Sequence, residues 1–415
     1  MSLWVVFRQF VLLSAAEVVY RFGQLLLTAY VARILGPSAY GLVASGQVAA
    51  NYLSSLSDGG TGLHGIHSIA RQPDTSPVTL RPVVEEVVGA RILLGMFFYL
   101  AYAGISMLVV SFDIMPILLM TGLVGVVGIF RLDWLVKGLS SSRPLVYVNL
   151  AAIACSAVFI LSMVHGQGDV LAASLLHVSA LAFAAVFLTM YILWKHPGMY
   201  GITSNFRRVR EVIRVSFPYS LAGLAQAGVY LAPLIMLGWY RDATQLGYYN
   251  AAYNLVFPLA GFAIYLMNSA LPYLSLDLSG EGGKGQLGTM LKVAAIMGCL
   301  LGGGLALGAP LVVDLVYGPA YGSSVGVMQV LALALALQFV RQMLRGVSVI
   351  YGRGVNEIVA GLVAFLTALV LGGILIRPFG IMGTALTVCA GELVGIGVVG
   401  LGFIYRKKAV SQYEN

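Results

Sequence analysis

The chain has 415 residues, 59% of them hydrophobic and only 10% charged, with a formal net charge of +8. A soluble globular protein carries about 25% charged residues because it needs them to cover its surface; a mean hydropathy of +0.91 excludes that class. The composition is that of an all-α polytopic membrane protein, and 50 glycines fit helices that approach one another closely in lipid.

The apolar text divides into twelve segments, each long enough to cross the hydrocarbon core as a helix. They run approximately 10–34, 39–62, 87–110, 114–138, 145–165, 169–193, 215–240, 246–274, 288–314, 324–350, 355–377 and 380–405. The opening MSLWVVFRQF has neither a basic leader nor a small-residue cleavage site and reads as a retained first span. Alternate connections are rich in Lys and Arg: Arg8; Arg71 and Arg81; Lys137 and Arg143; Lys195 with Arg207, Arg208 and Arg210; Lys284; Arg353; and Arg406 to Lys408. Basic connections stay on the cytoplasmic side, so both termini are expected there. The positive charge therefore reports topology and not nucleic acid. The segment TSNFRRVREVIR (203–214) either lies along the cytoplasmic surface against anionic headgroups or is a solvated basic linker. In both readings it joins two halves. Cys155, Cys299 and Cys389 sit in apolar runs and suggest no disulfide framework.

The halves repeat each other weakly. A shift of 206 residues lays the first span on the seventh and GPSAYGLVASG (36–46) on DATQLGYYNAA (242–252). A shift of 210 lays FRLDWLVKGLSSSRP (130–144) on VRQMLRGVSVIYGRG (340–354), and one of 212 lays GDVLAAS (168–174) on GIMGTAL (380–386). The expected organisation is a six-helix bundle over 1–196 and another over 197–415, around a central cavity at mid-membrane.

A charge inside a spanning helix costs about 2.5–3.5 kcal/mol on insertion scales, so it marks a protein interior or a water-filled cavity. In the first span Glu17, Arg21, Gln24 and Thr28 form one helical stripe. The stripe is either a self-neutralising Glu17–Arg21 pair or one wall of a site. In the fourth span Arg131 and Asp133 are two apart and cannot meet on one helix, so Arg131 is expected to find its partner elsewhere. Lys137 is expected at the interface. In the tenth span Gln338, Arg341, Arg345 and Ser348 share a stripe, with Arg345 near the cytoplasmic end. Asp58 lies near the end of the second span, and Glu392 in the twelfth is either paired with an arginine on another helix or a titratable site. Asn51, Gln226, Asn250, Asn254 and Asn268 add amides that suit sugar hydroxyls or helix–helix hydrogen bonds. The expected cavity is cationic, built on Arg21, Arg131, Arg341 and Arg345 with Gln24, Asn51 and Gln338; Glu17, Asp58, Asp133 and Glu392 serve as coupling or charge-pair groups. Guanidinium forks match phosphate and carboxylate, so this lining points to an anionic, hydroxyl-rich substrate.

No phosphate loop of the type G-x-x-x-x-G-K-[ST] occurs, and the glycines of SGEGGKGQLG lie in a polar loop without a strand before them. There is no D-x-D pair, and His64 and His67 have no further ligand nearby. No catalytic constellation, metal site or cofactor is expected.

The text ARILGPSAYGLVASGQVAANYLSSLSDGGTGLHGIHSIAR (32–71) resembles the start of polysaccharide transporters of the O-antigen flippase type. Leu35, Gly36 and Pro37 make the family's turn, Tyr40 and Gly41 open the second helix, and Asp58 and Gly59 close it. The resemblance returns at LGYYNAAYNLVFPLAGF (246–262), ALPYLS (270–275), VYGPAYGSSVGVMQVLALA (316–334) and RPFGIMGTALTVCAGE (377–392). It implies the fold of the multidrug/oligosaccharidyl-lipid/polysaccharide exporter superfamily. It also implies a flippase of the bacterial inner membrane that moves a polyprenyl-pyrophosphate-linked oligosaccharide, of undecaprenyl type, by alternating access, for O-antigen or other surface polysaccharide. Membrane lipids and polysaccharide polymerase machinery are the implied partners. Of the first-helix arginines that hold pyrophosphate in peptidoglycan-precursor flippases, only Arg21 has a counterpart. The alternative is a cation-coupled drug or metabolite exporter of the same fold, whose acidic first-helix site is not evident where Glu17 faces Arg21.

Overall fold

The computed structural model describes the backbone of residues 3–413 except 73, 113, 140–142, 204, 268–269, 271–285 and 351–353, and side chains between 19 and 401 with 222, 286, 349–350 and 354 also excepted. Among the described residues the chain is helical with no strand. That is the only open backbone arrangement that satisfies every N–H and C=O in lipid. Arg8, Glu17, Asn268, Lys284, Arg353, Arg406 to Lys408 and the polar loop at 280–285 fall outside the residues whose side chains are described.

The first helix, α1, runs Leu3–Asp58 and is broken at Gly36, whose φ of 73° and ψ of 170° no other residue adopts at ease. Pro37 follows as the opening residue of the next helical stretch. Short α2 (Thr61–Ala70) and long α3 (Pro77–Val109) come next, then α4 (Met115–Ile129), α5 (Asp133–Gly138) and α6 (Arg143–Met163). After α6, the Asp169 carboxylate accepts from the backbone N–H groups of His165 and Gly166, each at 2.9 Å, which holds it below the usual carboxylate range. That turn leads into α7 (Val170–Ser174) and α8 (Leu176–Lys195). The second half holds α9 (Phe206–Tyr240), α10 (Ala243–Val256, continuing as helix to Met267), α11 (Gln286–Tyr317), α12 (Ser324–Ile350) and α13 (Gly354–Tyr413). Helix α13 is broken at Gly380, φ 54° and ψ −126°, behind Pro378.

Among the described residues, nine helical stretches are long and apolar enough to cross a membrane. Two of them, Val19–Ala70 and Val355–Leu401, have 52 and 47 residues where a crossing needs about 20. Gly36 splits the first into two crossings and Gly380 the second. With α9, bent by 49° near residue 222, the segments are the twelve expected. Contacts fix directions inside the first unit. Gly46 packs on Thr121 and Gly125 on Leu53 and Ser57, so the second half of α1 runs alongside α4 in the same sense. Gly23 packs on Ile153, and the Tyr30 hydroxyl donates to the Val164 carbonyl at 2.8 Å, so the first half of α1 runs alongside α6.

The chain divides into two compact units, Met1–Leu224 and Ala225–Asn415. The expected boundary was 196–197; residues 206–214 of the basic segment are the first turns of α9, with Arg207, Arg208, Arg210 and Arg214 exposed. Val209 and Val212 are buried with Val84, Val87, Val88 and Met199 in a core at the end of the first unit, and Arg208 pairs with Glu86 at 3.1 Å. In the second unit α11 and α12 come close enough that a side chain at Gly298 or Gly302 would strike the α12 backbone at Ala336 or Ala332. This is the small-xxx-small contact by which membrane helices pack. The breaks also follow the repeat: shifted by 206, Gly36 falls on Asp242, the N-cap of α10, and shifted by 212, Gly168 falls on Gly380.

Candidate functional site

The fourth span was expected to be one helix over 114–138. It is broken instead: α4 stops at Ile129, Phe130–Leu132 leave helical geometry, and α5 begins at Asp133. A broken helix frees backbone carbonyls that would otherwise be paired. Here three of them find side-chain donors. Arg91 Nη1 donates to the carbonyls of Arg131 at 2.7 Å and Gly128 at 3.4 Å, and the Thr189 hydroxyl donates to that of Phe130 at 3.4 Å. Arg91 Nε donates to Thr61 Oγ1 at 3.1 Å, Nη2 pairs with the Asp58 carboxylate, and the guanidinium lies 5.9 Å from the Trp134 ring. One buried side chain on α3 thereby holds the end of α1, the start of α2, the break and α5 together.

The break also changes what Arg131 can reach. On a continuous helix Arg131 and Asp133 point apart. In the observed turn Arg131 Nη2 lies 3.3 Å from Asp133 Oδ2, and Lys137 Nζ lies 3.0 Å from the same oxygen. The expectation of a distant partner for Arg131 is corrected, because its premise, an unbroken helix, does not hold. One carboxylate shared by two half-open cations leaves both with donors to spare.

These groups line a cavity of about 430 Å³ that belongs to the first unit. Its charged lining is Arg91, Arg131 and Lys137 against Asp58 and Asp133. Arg91 is fully engaged, so Arg131 and Lys137 are the cations with free donors, and the balance is positive. Ser54, Ser55, Ser57 and Ser220 add hydroxyls, and Trp134 and Tyr219 add rings. The Ser57 hydroxyl and the Trp134 indole N–H are buried without a protein partner. A cavity with cations, hydroxyls and aromatic faces can take an anionic group with a polar, ring-shaped extension.

A second polar cluster lies inside the other unit. Arg341 and Glu392, 3% and 0% exposed, face each other with Nη1 to Oε2 at 3.2 Å. Gln338 Nε2 donates to the Tyr230 hydroxyl at 2.9 Å, and Arg345 Nη1 donates to Gln226 Oε1 at 2.6 Å with Glu357 Oε1 4.0 Å from its Nε. Of the two readings open for Glu392, pairing with an arginine on another helix is the one the geometry takes. Arg341 Nε and Nη2, Glu392 Oε1, Gln338 Oε1 and Glu357 Oε2 are buried without a protein partner. Two cations and two acids balance here, so the cluster carries no surplus charge for an anion.

The expected residues therefore separate. Asp58, Arg131 and Asp133 meet in the first-unit cavity; Gln338, Arg341, Arg345 and Glu392 meet in the second-unit cluster. Arg21 is exposed on α1, and Gln24 and Asn51 are half-buried there; none of the three lines the first-unit cavity. Sequence reading missed Arg91 and Glu357, although Arg91 stands four residues inside the third span, the same signal that singled out Arg131.

A family model described as polysaccharide biosynthesis protein matches residues 6–276. No curated protein matches the sequence. Among solved structures, the lipid II flippase MurJ in an inward closed conformation is similar at a TM-score of 0.74 and 14% identity, over 95% of this chain and 87% of that one. An inward-facing multidrug resistance MATE family transporter of the MOP superfamily is similar at 0.70 and 14% identity, over 95% and 96%. A MOP superfamily transporter from Pyrococcus furiosus, described by the reversed polarity of its binding pocket, is similar at 0.55 and 13% identity, over 98% and 95%. At such identities the likeness is one of fold.

Proposed function

This chain belongs to the polysaccharide biosynthesis protein family, and from that membership we propose that it is a flippase for a polyprenyl-pyrophosphate-linked oligosaccharide. It works by alternating access in the bacterial inner membrane with both termini cytoplasmic, and delivers O-antigen or other surface polysaccharide units to polymerising machinery. The observation that carries the reading is the cavity of the first unit, where Arg131 and Lys137 have donors free beside serine hydroxyls and the Tyr219 ring. Arg131 offers the fork that suits a diphosphate and Lys137 a mobile point charge. The hydroxyls and rings suit the sugar beyond it. Arg91 holds the turn that aims Arg131 and touches no substrate. Moving such a headgroup through hydrocarbon is prohibitive without compensating cations.

Substitution tests it. Arg131→Ala and Lys137→Ala, at wild-type membrane levels, are expected to lower surface polysaccharide at least about tenfold together, the loss of one charge-assisted contact or more. Arg131→Lys is expected to retain only part. Normal export by the double variant removes the cavity as the substrate site.

The likeness to MATE transporters supports one rival, a cation-coupled exporter. A cavity with surplus positive charge suits cationic drugs poorly, which ranks that reading second.

A further inference from the structure

Two carboxylates line the first-unit cavity, and their partners differ in kind. Asp58 pairs with Arg91, whose other donors go to Thr61 and to two carbonyls, so that pair holds the fold. Asp133 instead meets the two cations that have donors free. Arg131 Nη2 and Lys137 Nζ converge on its Oδ2, at 3.3 and 3.0 Å. Its side chain is 21% exposed, against 41% and 54% for Arg131 and Lys137, so the acid is more buried than either base. The break creates this arrangement: Asp133 opens α5, Lys137 stands one turn on, and Arg131 reaches Asp133 from the non-helical residues before it.

Neither contact is a strong pair. A tight arginine–carboxylate contact is bidentate, with N–H···O distances of about 2.7–2.9 Å; here a single nitrogen serves, at 3.3 Å. Half-exposed pairs of this kind hold weakly. A phosphate group offers the same two cations more acceptor oxygens than the one Oδ2 they share. With Asp133 in place the two cations carry one surplus charge; without it they would carry both.

We propose that Asp133 is a competitor built into the anion site. It holds Arg131 and Lys137 between turnovers, yields their donors as the ligand's phosphate settles, and takes them back to speed release. The donors it leaves free make the first contact, and those it occupies complete the grip. The inference rests on the flippase reading above and adds to it the residue that sets how tightly the head is held. A transport site needs such a limit, because what binds the head must also let it go.

The test uses purified full-length protein with inorganic pyrophosphate as the probe, together with surface polysaccharide in cells at matched membrane levels. Asp133→Asn keeps the size of the side chain and removes its charge. It is expected to tighten pyrophosphate on the order of tenfold, the worth of one charge-assisted contact. Export is expected to fall in the same variant, because release becomes slow. Asp133→Glu returns the charge and is expected to return both properties toward wild type. Unchanged or weaker binding in Asp133→Asn overturns the proposal, since a carboxylate that only positions the cations would act that way. Tighter binding with undiminished export overturns it too. Asp58→Asn removes a second negative charge from the same cavity and is expected to tighten pyrophosphate much less; an equal gain there assigns the effect to net charge and sinks the competition. Should Asp133→Asn fail to reach the membrane, Asp133→Ser, uncharged and suited to a helix start, is read by the same outcomes. Arg131→Ala with Lys137→Ala is the separate check. If that double variant binds pyrophosphate as wild type does, the flippase reading loses its site; if it binds weakly while Asp133→Asn binds no tighter, that reading stands and the competitor falls.

Discussion

Arg91 and Arg341 are both buried cations, and their surroundings differ in kind. Arg91 donates to two carbonyls, a hydroxyl and a carboxylate, so its fork is used up in holding a broken helix. Arg341 hydrogen-bonds Glu392, lies near Glu357 as well, and keeps two nitrogens without a protein partner. Removing one member of such a pair strands the other in a dry interior, at about 3–5 kcal/mol, whereas replacing both with apolar groups is often neutral. Glu392→Ala is therefore expected to lower thermal stability in detergent sharply, and Arg341→Met with Glu392→Leu to recover most of it. A double variant as unstable as the single one would mean the pair is not self-contained. The sequence marked Arg341 and Glu392 individually by their place in apolar runs. Their pairing, across 51 positions, was not legible, because no local pattern records which helix faces which.

At the scale of elements, the breaks divide into those written in local chemistry and one that is not. Gly36 and Gly380 carry positive φ beside Pro37 and Pro378, and both fall where the sequence reading ended one span and began the next. Nothing lies within 4 Å of a side chain added at Gly36, so its requirement is purely conformational. Gly36→Ala is expected to cost about 1–3 kcal/mol through backbone strain alone. Gly303→Ala, helical and equally unobstructed, is expected to be neutral or stabilising by about 0.5–1 kcal/mol. Equal melting temperatures for the two variants would refute the distinction. The break at 130–132 reads FRL, with no glycine or proline in it, so local chemistry alone gives a continuous helix there. It exists because Arg91 and Thr189, from other helices, satisfy the carbonyls it frees. The second half has no such break where α12 runs on through the matching positions, which separates a cavity in one unit from a packed cluster in the other.

For the whole molecule, hydropathy and charge carry a topology that a reagent can read. With a cysteine placed at His165, between α6 and α7, an impermeant maleimide is expected to label intact cells. A cysteine at Asn205, before α9, should label only after permeabilisation. Labelling in the opposite order would invert the assignment. Membrane class and the division into twelve apolar segments were decided by the sequence alone, since each depends on the composition of a short window of chain and on the thickness of a bilayer. The extent of the first unit, the turn at 130–132, the role of Arg91 and the pairing of Arg341 with Glu392 were decided only by tertiary structure. Each depends on distances between helices far apart in sequence, and a buried charge takes whichever partner packing brings within reach.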